Sequence, residues 1–482
     1  FIIRGRVEDE RSGESLPHAS VVVQGTRIGG NTNDDGYFTI REVPADTVTL
    51  IIKYLGYQTK RLQITPETQL DGLLITLQAI DVQMQEVLIV ADEEHMMESK
   101  GISHLSISPA QLAALPSLGE KDIFRSLQMM PGVSGSNENS SGLYVRGGTP
   151  DQNLILLDGF TVYHVDHFFG FFSAFNADAI KDVQFYKGGF SAKYGERLSS
   201  VVELSGKSGN KNQWDGGLNL SALSISGRVE GPIGKKATFF LAARRSYTDI
   251  IQSGLYDNIY ELVTPSTDEG AGGPGGPGGG RFVNQATPDF YFYDLNARLT
   301  YNPSERDVLS LSFYNGIDNL DNSFDNSQTG FGRGLGSENS TFSNQTVDLT
   351  RWGNWGASAR WSRQWNDRWY SNATLAYSNY FSNRDRSTEI VIQRDTSLTE
   401  INRGTVEDNN VQDLTFRFNN ELKLSTHNQI DLGTQITYND IRYNLIQNDT
   451  LPILDQQGSG SRIAFYAQDH WQPFKWLSLS GG

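Results

Sequence analysis

Apolar and polar residues alternate with a period of two along much of the second half of the chain. Between residues 294 and 302, Leu295, Ala297, Leu299 and Tyr301 alternate with Asn296, Arg298 and Thr300. After a Pro303-Ser304-Glu305-Arg306 turn, Leu309, Leu311 and Phe313 alternate with Ser310, Ser312 and Tyr314. Leu414, Phe416 and Phe418 oppose Thr415, Arg417 and Asn419; beyond a turn at 425–428, Ile430, Leu432, Ile436 and Tyr438 oppose Gln429, Asp431, Gln435 and Thr437. Successive side chains of a strand point to opposite faces, so each run predicts a strand with one apolar and one polar face. Runs of about 9–11 residues or longer have the reach of a bilayer-crossing strand. Short turns near 231–236, 303–306, 366–368, 425–428 and 472–475 alternate with polar stretches near 251–288, 320–344, 386–410 and 445–460, which are expected to be long loops. A transmembrane barrel produces that asymmetry, with turns at one end and loops at the other. Trp365, Trp369, Trp471, Trp476 and Tyr301 flank the short turns, where an interfacial aromatic girdle belongs; ordinary strand-end packing is the alternative.

The first 210 residues follow other patterns. Ile3, Gly5 and Val7 alternate with Arg4 and Arg6, and Val48, Leu50, Ile52 and Tyr54 with Thr49, Ile51 and Lys53. The turn signals Ser12-Gly13, Gly29-Gly30, Asp34-Asp35-Gly36 and Leu55-Gly56 separate such runs, predicting a small β-sandwich over residues 1–79. Residues 80–100 read as a linker around the apolar run Val87-Leu88-Ile89-Val90. Residues 101–210 read as an α+β unit. It has a helix over 118–130 stopped by Pro131-Gly132, a buried strand Leu154-Ile155-Leu156-Leu157 ended by Asp158-Gly159, a short helix at 176–180 and a strand at 182–186. Residues 211–482 are the barrel strands.

Composition changes the picture in three ways. The 482 residues carry 40 Lys+Arg against 56 Asp+Glu, a net charge of −16, with no basic block, which argues against a nucleic-acid partner. The absence of cysteine removes disulfides and thiol chemistry. The mean hydropathy of −0.43 suggests a soluble protein, but barrel strands are half polar and leave the same average. No GxSxG, HExxH or Walker A motif is present, so no enzyme and no cofactor are expected. The chain begins at Phe1 and ends at Ser480-Gly481-Gly482 within a strand pattern, and so reads as part of a longer protein.

Three stretches then point to one family. Val145-Arg146-Gly147-Gly148 is followed by Asn153-Leu154-Ile155-Leu156-Leu157-Asp158-Gly159, by Asn176-Ala177-Asp178-Ala179-Ile180, and by Tyr186-Lys187-Gly188-Gly189-Phe190-Ser191-Ala192-Lys193-Tyr194-Gly195. This order resembles the plug domain of TonB-dependent outer-membrane transporters. Residues 2–77 resemble the carboxypeptidase-regulatory-like, transthyretin-type sandwich that precedes many such plugs. The alternating part is similar to their barrel. The resemblance implies a mainly β chain: a transthyretin-like sandwich, an α+β plug, and the N-terminal half of a 22-stranded antiparallel transmembrane barrel, of which nine or ten strands are countable. It further implies the outer membrane of a Gram-negative bacterium, with the sandwich and linker in the periplasm. Expected partners are outer-membrane lipid, TonB with its inner-membrane energising complex, and a scarce nutrient such as a siderophore, glycan or peptide. The starch-utilisation branch adds a small surface lipoprotein, for which the resemblance leaves room. A surface receptor or adhesin that binds without transporting is the alternative.

The resemblance also nominates residues. Glu86, Val87, Leu88, Ile89 and Val90 are the candidate TonB box, whose alternation suits strand addition to a partner sheet; a last sandwich strand or a passive linker is the alternative. Arg146, with Gly147 and Gly148, is the candidate plug–barrel lock through wall carboxylates, against a solvated strand-end arginine. In the stretch from Tyr163 to Phe172, Tyr163, His164, His167 and Phe168 are candidate substrate contacts, against plug–barrel packing. His164 and His167 flanking Asp166 invite a metal reading, but two His at this spacing with no third ligand nearby leave no metal site assigned. Asn31, Asn33, Asp35 and Glu42 approach a calcium-loop pattern, yet strand-like flanks favour a hairpin at Asp35-Gly36.

Overall fold

The structure is a computed structural model. It describes the chain except residues 27, 45–46, 66, 69–71, 81–96, 100–102, 108–120, 136–141, 169, 264–287, 330–339, 395–396, 426, 449–450 and 475–476. The candidate box at 86–90 and Trp476 lie outside the described residues.

The N-terminal part is a two-sheet sandwich. Ile3–Asp9 lies between Tyr37–Ile40 and Leu73–Leu77 in one sheet, and Gly29–Asn31, Ser20–Val23, Val48–Lys53 and Lys60–Ile64 form the other in that order. The alternation does the work: Ile3, Val7, Val21, Leu50, Ile52 and Ile64 point between the sheets and are fully buried. The 31–42 segment is the expected hairpin. Asn33 Oδ1 accepts from the Asp35 and Tyr37 amides at 3.1 and 3.0 Å, and Gly36 takes φ 80°.

The plug is built on a six-stranded sheet in the order Phe160–Thr161, Asn153–Leu157, Ser200–Gly206, Ile180–Tyr186, His104–Ile107, Met97–Ser99. Asn153–Leu157 runs parallel to Ser200–Gly206, and both are buried, as the continuous apolar run requires. The helix is Ile123–Gln128, capped by Asp122, whose carboxylate accepts from the Arg125 amide at 2.9 Å.

Among the described residues, the remainder is a single antiparallel sheet of 12 strands, from Asp215–Leu220 to Leu477–Gly481, with each long strand paired to its sequence neighbour. Its burial is inside out. Leu311 is 55% exposed while Ser310 and Ser312 beside it are 7% exposed. The pairing register lines the outward residues up: Phe239, Leu299, Leu311, Ala359, Leu375, Phe416, Ile436 and Ile463 form one continuous apolar row across eight strands. An apolar outer band over a polar inner face is the surface a lipid bilayer selects. Trp365 and Trp369 stack at 5.3 Å on the outside of the turn that joins their strands.

Two expectations need correction. The stretches 386–410 and 445–460 are not long loops: Trp369–Arg394 pairs directly with Ser397–Lys423, and Asn428–Gln447 with Leu451–Phe474. Strand ends with water on both sides satisfy their backbone by pairing and need no apolar alternation, so hydropathy alone cannot see them. The nine or ten countable strands are 12 for the same reason, since Asp215–Leu220 and the short Phe324–Thr329 lack a long alternating run.

Candidate plug–wall site

Inward-facing residues of the sheet hold the plug through a chain of specific bonds. At the tip of the plug's first buried strand, Asp158 and Gly159 adopt φ 47° and 91°, so the chain reverses sharply. Three wall residues grip this turn. Arg298 pairs with Asp158 Oδ1 at 2.5 Å and donates to Gly206 O at 3.0 Å. Ser358 Oγ donates to Asp158 O at 2.8 Å and Arg417 Nη1 to Gly159 O at 2.5 Å. A Cβ on Gly159 would lie 3.1 Å from Thr374 Cγ2, which leaves little room for a side chain there.

The second attachment is the aromatic segment. Asn354 clamps its backbone, accepting from the Tyr163 and His164 amides at 3.2 and 3.1 Å and donating to His164 O at 2.7 Å. Tyr163 Oη donates to Asp413 at 2.7 Å. His167 is the centre. Its Nδ1 lies 2.6 Å from Asp318 Oδ2, and the other oxygen of Asp318 accepts from the Phe168 amide at 3.1 Å. On the far side Nε2 faces Asp294 at 3.7 Å, too long for a hydrogen bond. Asp294 is itself paired with Arg244 at 2.6 Å, and Arg244 reaches the plug at Ser173 O, 2.8 Å away. All four charged side chains are almost fully buried, at 0 to 5% exposure. The His167 ring stacks on Phe292 with centroids 4.4 Å apart.

Around this cluster lies an aromatic core: Phe168, Phe171 and Phe172 of the plug with Phe290, Phe292 and Trp352 of the wall. The helix Gly254–Val263 closes it from the first long loop. Tyr256 is fully buried against Phe168 and donates to Pro288 O at 2.6 Å. Phe168 holds φ 53°, a conformation a bulky residue adopts only under constraint. The constraint is visible in the Asp318 hydrogen bond to its amide and the rings on either side.

The nominated residues therefore divide. His167 and Phe168 are buried in the plug–wall seam and closed to a ligand in this conformation. Tyr163 and His164 are half-buried; His164 packs against Tyr380 and Trp352, and its Nε2 lies 3.1 Å from Asp166. Arg146 does not meet the wall. It sits in a positive-φ turn with Gly147, held by its amide bond to Gly132 O, and its guanidinium donates to Ser103 Oγ at 3.0 Å. Among the described residues it forms no ion pair. Gly148 has no space for a side chain, since a Cβ would fall 2.3 Å from Ser199 Oγ. No group of three His or acidic residues among the described residues is arranged to hold a metal. Sequence reasoning missed Arg244, Asp294, Arg298 and Asp318. Their signal was a charge on the inward face of an alternating strand, which Arg298 carried plainly.

Residues 103–202 match the family model described as the TonB-dependent Receptor Plug Domain, and residues 3–89 the CarboxypepD_reg-like domain. The chain thus carries a TonB-dependent receptor plug domain behind a CarboxypepD_reg-like domain. TonB-dependent receptor P26 of Formosa agariphila is 27% identical over 224 residues, 43% of this chain and 21% of that protein. TonB-dependent receptor P3 of the same organism is 25% identical over 166 residues, 33% of this chain and 16% of that protein. The matched region is thus less than a quarter of either relative's length. Among solved structures, the ferric-catecholate import receptor Fiu of E. coli K12 superposes with a TM-score of 0.45 at 10% identity, covering 77% of this chain and 68% of that one. The sheet that follows the plug domain carries an apolar outer band over a polar inner face.

The buried His167 gives the protein a pH signature. Burial alone would lower its pKa, but the charge of Asp318 and the approach of Asp294 outweigh it, and the value rises from 6.5 to about 9. A raised histidine pKa stabilises the folded plug fully below the unfolded value, and that contribution is lost as pH rises through about 9. The urea concentration at which protease cleaves the 163–172 segment should therefore drop on crossing about pH 9. The step should vanish in His167→Gln; a step of equal size in that variant would assign it to another group.

Proposed function

We propose that this receptor imports a scarce nutrient across the outer membrane, using energy delivered by TonB to a plug that fills the barrel lumen. The observation that carries the reading is the plug itself, a separately folded sheet bonded to the inward polar face of a wall whose outward face is apolar. A lumen so filled conducts nothing until the plug rearranges. A buried, multiply bonded seam makes the rearrangement costly enough to need an external input.

In this reading residues 86–90 are the TonB box, in the periplasm with the sandwich, and add as a strand to TonB. Tyr163 and His164, half-buried beside Tyr380, are the plug residues offered to the substrate, whose class stays open among siderophore, glycan and peptide. His167 and Phe168 follow as the groups that feel the seam move. Deletion of 86–90 is the test. In cells grown on a panel of single iron chelates, oligosaccharides or peptides, the deletion should abolish energised uptake of whichever nutrient the intact receptor supports, while that nutrient still binds. A cysteine introduced at Val87 should cross-link to TonB. Unchanged uptake after the deletion would remove the proposal.

A further inference from the structure

The sandwich carries acidic side chains that its own core does not explain. Glu8, Glu14 and Asp35 are buried to 8, 9 and 8% exposure, yet each faces outward from the sandwich to meet a group of the plug base or the wall. Glu8 pairs with Lys211 at 2.6 Å, and Glu14 with Lys181 at 3.7 Å and with the Ser208 amide. Asp35 accepts from Tyr370 Oη at 2.6 Å. Arg360, inward-facing on the wall, pairs with Asp34 at 2.9 Å and donates to Tyr370 Oη.

Other contacts reach the short-turn rim. Arg41 pairs with Asp367 at 2.7 Å, in the turn between two long strands, and Tyr37 Oη donates to Glu305 O in another turn. Tyr54 Oη reaches Asp182 under the plug sheet at 3.3 Å, and the Lys211 amide donates to Ser12 O at 2.7 Å. One domain thus touches the plug's underside, the lumen wall and the rim at once. Charges of both signs are matched across the contact, the acids Glu8, Glu14 and Asp34 by Lys211, Lys181 and Arg360, and Arg41 by Asp367. The arrangement is a docked state with its own complementary surface, distinct from a domain trailing on a linker.

We propose that the N-terminal sandwich is a second closure of the lumen, a latch seated beneath the plug that must leave the turn-side mouth before a substrate can pass. The proposal rests on the import reading above. Chain order suits it, because the candidate box lies between the sandwich and the plug, so tension applied there acts on both.

These 482 residues hold no cysteine, so within them an introduced pair reacts alone. Arg41→Cys with Asp367→Cys, and separately Tyr37→Cys with Glu305→Cys, should be joined by a short bis-maleimide in outer membranes from cells lacking TonB. Single-cysteine variants should give no such product. In energised cells with TonB the yield should fall several-fold. No cross-link for either pair without TonB would overturn the latch. So would an equal yield with and without TonB in cells where TonB cross-links to Val87→Cys, because the sandwich would then stay docked while the box is engaged. Absence of the TonB cross-link itself would bring down the import reading, and the latch with it.

Discussion

Asp318→Ala should release the plug apex from the barrel wall, at a cost of about 3–5 kcal/mol, the range for removing one partner of a buried ion pair. Asp318 does two tasks with one carboxylate, taking the His167 ring on one oxygen and the Phe168 amide on the other. Its loss strands a buried imidazolium beside Asp294 at 3.7 Å and leaves a buried amide without its acceptor. It also removes the bond that holds Phe168 at φ 53°. The residue should therefore relax, and the rings of Tyr256 and Phe290 should lose their seat. Hydrogen exchange followed by mass spectrometry on a peptide spanning 163–172 should show the change, with protection reduced while the sheet keeps its own. Asp318→Asn, which retains an acceptor, should lie between. Native protection in the alanine variant would mean that the aromatic packing alone holds the apex.

Leu311→Arg should cost about 2–4 kcal/mol of stability in a bilayer, the depth-dependent penalty for a cationic side chain near the midplane on the lipid face. Leu311 stands in the middle of the apolar row, between Leu299 and Ala359, and is 55% exposed. In water such a position would tolerate arginine readily, since it packs against little. Leu451 is equally exposed at 58%, but begins a strand at the loop end. Leu451→Arg should cost no more than about 1 kcal/mol, the value near or beyond an interface. Urea titrations of the two variants refolded into phosphatidylcholine vesicles would compare them. Equal losses would show that the row does not face lipid.

The sequence was most readable where one face of an element meets a different environment from the other. The 294–301 and 414–420 runs announced their strands because lipid selects one face and the plug the other. In the sandwich, Leu50 and Ile52 did the same against a core. Where water lies on both sides, as over 386–410, pairing goes on without leaving an apolar trace. The site was legible only in part. The Tyr163 to Phe172 segment stood out by composition, and its packing reading matches what His167 and Phe168 do. Their partners Asp294 and Asp318 lie more than 120 residues further on, so no local spacing could join them. Arg146 misled because a motif fixes a residue type but not the direction of its side chain, and here the turn aims it at Ser103.

The longest strands carry one more consequence. Ser397–Lys423 has 27 residues and Trp369–Arg394 has 26. At about 3.4 Å per residue and a tilt of about 45°, such a strand rises about 60 Å, while the apolar band of an outer-membrane barrel is about 25 Å tall. More than half of that height stands clear of the hydrocarbon as a palisade on the loop side. Anything approaching the plug along this sheet meets protein long before it reaches the level of the membrane.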